Sequence, residues 1–195
     1  MSADVRDTAT NVAQRQDSLL LVVDIQTRLA PHVPDHEALI ARARALVTAA
    51  RMLDIPRRLT EHCADQIGPV VPAIRQEFAA SEIFGKTCFG ACDHAEFVEM
   101  LRASGRRHVA IAGMEAHVCV LQTALGLLDQ GFAVTAVTDA IGSRRPRQED
   151  RLRAIGRLER AGAILAGTET VLFEWLHAGN DPAFGELLRV IKALP

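Results

Sequence analysis

Cys119 is the residue whose position first suggests chemistry. The segment from Gly113 to Cys119 follows the apolar run Val109 to Ala112 and leads into an apolar pattern of helical spacing, so the thiol falls at a strand-to-helix turn. Free N–H groups and the partial positive charge of a helix N-terminus favour thiolate over thiol at such a place, and the same groups can bind a developing oxyanion. The plainer reading is a core cysteine, because Cys is among the most buried residue types. Two more titratable groups close predicted strands. Asp24 ends the run that begins at Ser18, and Lys86 ends the run that begins at Glu82. A thiol nucleophile needs a base for its proton and a charge to steady the exchange, and this pair supplies both. Lost hydration favours a protonated Asp24, whereas a neighbouring ammonium favours the carboxylate and steadies a thiolate. Taken singly, Asp24 also reads as a loop or N-cap carboxylate and Lys86 as a solvated amine.

The elements that must position these groups follow from periodicity. Ser18 to Asp24 is a continuous apolar run ending in a carboxylate, the pattern of a strand buried on both faces of a parallel sheet. Leu39, Ala43, Leu46, Val47 and Ala50 recur at helical spacing within Glu37 to Leu53, and Ile55 to Thr60 is a second strand. Past the stretch punctuated by Gly68, Pro69 and Pro72 come a short strand at Glu82 to Lys86, a helix at His94 to Ser104 and a strand at His108 to Ala112. A helix from Ala116 to Gln130 stops at Gly131, a C-cap glycine, and Phe132 to Val137 is the next strand, closed by Thr138 and Asp139. Gln148 to Ala161, Ala163 to Ala166 and Thr168 to Ala178 supply helix, strand and helix; Phe184 to Ile191 is again apolar at helical spacing. This alternation predicts an α/β fold, a three-layer, Rossmann-like open parallel sheet of about six strands with helices on both faces. Ligands of such sheets bind beyond the carboxyl ends of the strands, where Asp24, Lys86 and Cys119 all fall.

Composition bounds the rest. A chain of 195 residues, 49% hydrophobic and 24% charged, suits one domain over residues 18–195, with the polar stretch 1–17 expected to be a loose N-terminal tail. A net charge of -2 with no basic block interleaved with aromatics provides no electrostatic footprint for nucleic acid, which points to a small-molecule partner. Lys86 and Lys192 are the only lysines among the 22 basic residues, so an ammonium at a strand end stands out. The four cysteines, Cys63, Cys88, Cys92 and Cys119, form no CxxC pair and read as reduced thiols. Neither a signal-peptide pattern nor an apolar run near the roughly 20 residues of a membrane span occurs, so no membrane partner and a cytoplasmic location are expected.

Other chemistries are weighed against the same residues. A phosphatase using two aspartates wants a second acid two residues after the first, where Gln26 stands. No glycine follows the first strand as a dinucleotide fold requires, and the Gly-x-Ser-x-Gly elbow of serine hydrolases is absent. His62 with Cys63, and Cys88 with Cys92, are the nearest approach to zinc spacing, but they read better as pocket and core residues, so no metal and no cofactor is expected. His117 sits two residues before Cys119, a spacing that points side chains apart on a helix.

With Asp24, Lys86 and Cys119 in this order on strand ends, the chain resembles the isochorismatase-like cysteine hydrolases, the superfamily of nicotinamidases, N-carbamoylsarcosine amidohydrolases and YcaC-type proteins. The resemblance spans Ser18 to Ile191 and rests on Leu20 to Gln26, Phe84 to Thr87, Gly113 to Val120, Asp139 to Arg144, and Ala161 to Ala163 before Thr168 and Glu169. The wording around Gly113 to Ala124 looks most like the isochorismatase-domain-containing branch. The resemblance implies Cys119 as nucleophile, Asp24 as general base and Lys86 as stabiliser of the proton exchange. It also implies a cis peptide at Met114–Glu115 and an oxyanion hole from the N–H groups of Glu115 and Cys119. Gln26, His62 and His117 are the candidate substrate-binding side chains. The metal-binding nicotinamidases carry Asp-x-His after the second strand, where this chain has Thr60, Glu61 and His62, and true isochorismate hydrolases usually lack the cysteine. The expected reaction is therefore hydrolysis of a small amide or related C–N bond through a thioester, in a homo-oligomer such as a dimer or tetramer. The alternatives are a catalytically idle binding or scaffold paralogue of the same fold, and a redox role for Cys88 and Cys92.

Overall fold

Every residue of strand β1 (Ser18–Val23) is buried, as five consecutive aliphatic side chains demand of a strand covered on both faces. The computed structural model describes residues 12–195. In it β1 pairs in parallel with β2 (Arg57–His62) on one side and with β4 (His108–Met114) on the other. β3 (Ile83–Lys86) lies outside β2, while β5 (Ala133–Gly142) and then β6 (Ile164–Ala166) extend the sheet beyond β4, all parallel, in the order β3-β2-β1-β4-β5-β6. The order reverses between β1 and β4, the place where open α/β sheets hold their ligands.

Alternate side chains of β1 feed two separate cores. Leu20 and Val22 pack with α1 (His36–Met52), the short α3 (Pro72–Arg75), α7 (Thr168–Leu176) and α8 (Phe184–Lys192). On the opposite face, Leu19, Leu21 and Val23 pack with α4 (Ala95–Arg102), α5 (Leu121–Asp129) and α6 (Gln148–Arg160). The remaining helix, α2 (Ala64–Ile67), is a single turn after β2. This is the three-layer α/β sheet that the alternation predicts, with helices on both faces.

Local departures have physical reasons. β5 does not close at Thr138 and Asp139 but continues to Gly142, because an irregularity shifts its register: Ile111 of β4 faces Ala136, yet Gly113 faces Ile141. The Arg151 guanidinium holds that irregular stretch by donating to the carbonyls of Thr138 at 2.6 Å and Ile141 at 2.8 Å. Asp139 turns its carboxylate to the start of α7, accepting from the Thr168 amide at 2.8 Å and hydroxyl at 2.9 Å. The segment Ala116–Val120 is a π-helical turn that α5 then continues, where an α-helix from Ala116 is expected. Of the loose tail expected over residues 1–17, the first eleven lie outside the described residues. The stretch 12–17 is tied down instead: Ala13 is fully buried and donates to Glu174 at 2.9 Å, Arg15 donates to the Leu53 carbonyl at 2.7 Å, and the Asp17 carbonyl accepts from Arg107 and His108.

Gly113 sets the spacing of the two central strands at their carboxyl ends. Its φ is +140°, and a Cβ there would lie 2.1 Å from the Val23 carbonyl oxygen, so no L side chain fits without moving β1 from β4. Gly113→Ala is expected to cost on the order of 3 kcal/mol or more, read as a lower urea midpoint with an unchanged m-value.

Candidate active site

Asp24 follows the last residue of β1 with a φ of 50°, which turns its carboxylate into the interior beneath the strand ends. Its two oxygens have separate partners. Oδ1 accepts from the Thr60 hydroxyl of β2 at 2.6 Å, and Oδ2 accepts from Lys86 Nζ of β3 at 2.6 Å. The Lys86 ammonium also donates to the carbonyls of Cys88 at 3.3 Å and Phe89 at 3.2 Å, so its three protons have three acceptors. Cys119 arrives from the turn after β4, within hydrogen-bonding reach of both Asp24 and Lys86. The order of the sheet thus brings together three titratable groups from distant parts of the chain at its switch point.

The electrostatics differ from what the turn alone suggests. Burial, and next the Asp24 charge, push the Cys119 thiol up to about 12, against the opposing pull of Lys86. The expected preference for thiolate at a helix start is therefore overridden: Cys119 is 6% exposed and shares its neighbourhood with a carboxylate, and both effects disfavour an anion. The resting sulfur is a thiol, beside the buried pair of Asp24 and Lys86. His62 lies at the edge of this set. Burial and then the Lys86 charge lower its pKa, with Asp24 and the Cys88 carbonyl acting the other way, and its ring packs on Phe89 with centroids 5.1 Å apart.

A model of the isochorismatase domain matches residues 18–170. The chain belongs to the isochorismatase family. Its relatives include mouse isochorismatase domain-containing protein 2A, 34% identical over 179 residues that make up 91% of this chain and 84% of that protein. Among solved structures it is similar to the MAR1 ribonuclease of Caenorhabditis elegans, with a TM-score of 0.86, 34% identity and 93% of each chain covered. It is also similar to YcaC from Pseudomonas aeruginosa, determined with hexane-2,5-diol and covalent acrylamide, with a TM-score of 0.84, 30% identity and coverage of 92% of this chain and 91% of that one. The domain is thus of hydrolase type, and no helix among its described residues is long and apolar enough to cross a membrane.

The other expected site residues of this isochorismatase-family domain divide between crevice and scaffold. Gln26 is fully buried and latches backbone: its amide nitrogen donates to the His62 carbonyl at 2.9 Å and to the Gly68 carbonyl, and its Oε1 accepts from the His62 amide at 2.9 Å. Its polar atoms are engaged by His62 at the end of β2 and by Gly68 in the loop that follows. His117 turns to the end of β5, with Nδ1 3.0 Å from the Ser143 hydroxyl and 3.5 Å from Glu115 Oε2. The Met114–Glu115 peptide is cis, Met114 is fully buried, and the Glu115 side chain accepts from the Arg144 amide at 3.1 Å. Cys92 lies against α5, close to the Thr123 carbonyl, whereas Cys88 faces solvent. No group of three His, Cys, Asp or Glu side chains among the described residues is arranged to hold a metal ion. Thr60 and Ser143 are the polar side chains at this site that sequence reasoning passes over.

Two outcomes follow for stability. Lys86→Met leaves the Asp24 charge buried without its cation and is expected to cost about 3 to 5 kcal/mol in urea unfolding, whereas Arg153→Met on the surface of α6 shifts the midpoint little. Burial holds both Cys119 and Cys92 up at about 12 against an ordinary 9.0, so their neutral forms favour the fold. That contribution is complete below pH 9 and is lost as pH rises from 9 towards 12, because the unfolded chain ionises first. Denaturation midpoints should fall across that window, and a Cys92→Ala, Cys119→Ala double variant should flatten the fall.

Proposed function

We propose that this protein is a cysteine-dependent hydrolase of a small amide or related C–N bond, working through a thioester. The observation that carries the reading is the contact of a buried, neutral Cys119 thiol with the Asp24 carboxylate, itself held by Lys86. In the first step the thiol proton passes to Asp24 while sulfur bonds to the substrate carbonyl carbon, and the negative charge moves onto the carbonyl oxygen. The N–H groups of Glu115 and Cys119 are the proposed donors to that oxyanion. Collapse breaks the C–N bond, and Asp24 returns its proton to the leaving nitrogen. Water then attacks the thioester, giving a proton to Asp24, which passes it back to the departing sulfur. Lys86 keeps its three protons throughout and offsets the charge that shuttles between carboxylate and sulfur.

The covalent acrylamide in the Pseudomonas aeruginosa neighbour supports the reading, since a primary amide with an electrophilic carbon reached a covalent bond in that protein. Assembly into a dimer or tetramer and a small-molecule substrate belong to the same proposal. His62, beside the Asp24 and Lys86 charges, is the proposed substrate-facing side chain of the three expected ones.

Iodoacetamide labelling followed by peptide mass spectrometry should modify Cys119 ahead of Cys63 and Cys92, and Asp24→Asn should change the rate of that modification. Exposed Cys88 provides the comparison, because a thiol that reacts through exposure alone does not respond to Asp24→Asn. A panel of small amides assayed for ammonia release should find activity that Cys119→Ala lowers by at least about a thousandfold. RNA belongs in the same panel because the Caenorhabditis elegans neighbour is named a ribonuclease. Turnover of RNA that survives Cys119→Ala, with no amide turned over, overturns the proposal.

A further inference from the structure

We infer that the Thr60 hydroxyl is a positioning residue for Asp24, aiming the carboxylate at Cys119 and loosening its grip on the proton it carries. The inference rests on the thioester reading above. Thr60 is fully buried on β2, in a strand whose residues Leu59 to Glu61 are all buried, and valine would fill the same volume with equal preference for a strand. What threonine adds there is one O–H group, which is costly to bury unless it is bonded. That group donates to Asp24 Oδ1 at 2.6 Å, the length of a charge-assisted bond, and the Asp24 amide donates back to the Thr60 carbonyl at 3.2 Å. Residue 24 is therefore gripped twice by residue 60, at the point where its backbone leaves β1 with a positive φ.

The grip matters because the carboxylate has two jobs at two oxygens. Lys86 takes Oδ2 at 2.6 Å, so without Thr60 the carboxyl group is free to swing about its Cα–Cβ and Cβ–Cγ bonds around that single anchor. With Oδ1 fixed as well, its plane is set and Cys119 meets a constant acceptor. The charged and titratable groups facing Asp24 are Lys86 from β3, Cys119 from the turn after β4, and His62 from β2. A donor on Oδ1 favours the anionic form. When Asp24 has taken the Cys119 proton, Thr60 keeps its own proton and makes the new carboxylic acid readier to hand that proton to the leaving nitrogen.

The test compares full-length wild type, Thr60→Val and Thr60→Ser for the rate of Cys119 alkylation by iodoacetamide between pH 5 and 9, followed by peptide mass spectrometry. In Thr60→Val the pH below which reactivity falls should move up, because the anionic carboxylate has lost a donor. The rate on the plateau should also drop several-fold, and Thr60→Ser should overlay the wild type in both respects. A packing role alone lowers the denaturation midpoint but leaves the position of the acid limb where it was. A Thr60→Val profile that overlays the wild type overturns the inference while leaving the thioester reading standing. If wild-type Cys119 is not alkylated ahead of Cys63 and Cys92, the reading itself falls and takes the inference with it. If Thr60→Val does not fold, Thr60→Ala is measured in the same way. Failure of both to fold beside a stable Thr60→Ser assigns the hydroxyl to the fold and overturns the role proposed here.

Discussion

Two opposite charges 2.6 Å apart, with side chains 0% and 1% exposed, are an expensive thing to place in a protein interior. Stripping water from each ion costs several kcal/mol, and attraction repays this only when the remaining lone pairs and protons also find partners. Here they do: Thr60 takes the second carboxylate oxygen and two backbone carbonyls take the remaining ammonium protons. The bond is also a tie across the sheet, because Asp24 ends β1 and Lys86 ends β3 with β2 between them. Thr60 is the residue of that middle strand which meets the bridge. Three neighbouring strands are thus registered at their carboxyl ends by one polar cluster, and the loop of Cys88 and Phe89 is drawn onto the site by the same ammonium.

Burial first, and then the pair, sets the state of the sulfur. A thiol beside a carboxylate in a nearly dry pocket holds its proton, and the ammonium compensates only in part. A neutral buried thiol is a weak nucleophile and a poor target for oxidants, in contrast to an exposed thiolate. In the proposed chemistry the nucleophile is made only as Asp24 receives the proton, at the moment a carbonyl carbon is in reach. Selectivity then comes from coupling proton transfer to attack, and not from a standing population of thiolate.

The fold and the central trio were legible in the sequence for a definite reason: burial on both faces forces continuous apolar runs, and a charged residue at the end of such a run has few places to go. Asp24 announces itself in that way, whereas Lys86, at the end of the half-buried edge strand β3, stands out as one of only two lysines. Thr60 does not, because in a strand a threonine reads as a β-branched residue and its hydroxyl leaves no periodic trace. Gln26 misleads for the opposite reason. It stands two residues past Asp24, beside the site along the chain, but its amide is committed to the backbone of His62 and Gly68. Extension of β5 past Asp139 is equally silent, since Thr138 and Asp139 interrupt the apolar run and read as its end while the strand continues through the irregularity. The tether of residues 12–17 lies in one buried alanine and in bonds of Ala13, Arg15 and Asp17 to distant parts of the chain, none of which polar composition can signal.

That irregularity in β5 explains how the turn carrying Cys119 is held from behind. A regular strand would keep facing β4 residue for residue; instead β5 slips between Ala136 and Ile141 and delivers Ser143 and Arg144 beside the end of β4. There the Arg144 amide binds Glu115 and the Ser143 hydroxyl meets His117, so both ends of the segment preceding Cys119 are anchored to β5. The slip is in turn fixed by Arg151 of α6, while Asp139 within it caps α7. Helices on opposite faces of the sheet therefore bear on the same loop. Gly113 completes the arrangement, since only a residue without a Cβ lets β1 approach β4 this closely beside Asp24 and the turn of Cys119. The acid side of the site is set by an ion pair across three strands, the sulfur side by a displaced strand and a glycine, and their meeting point lies where the strand order reverses.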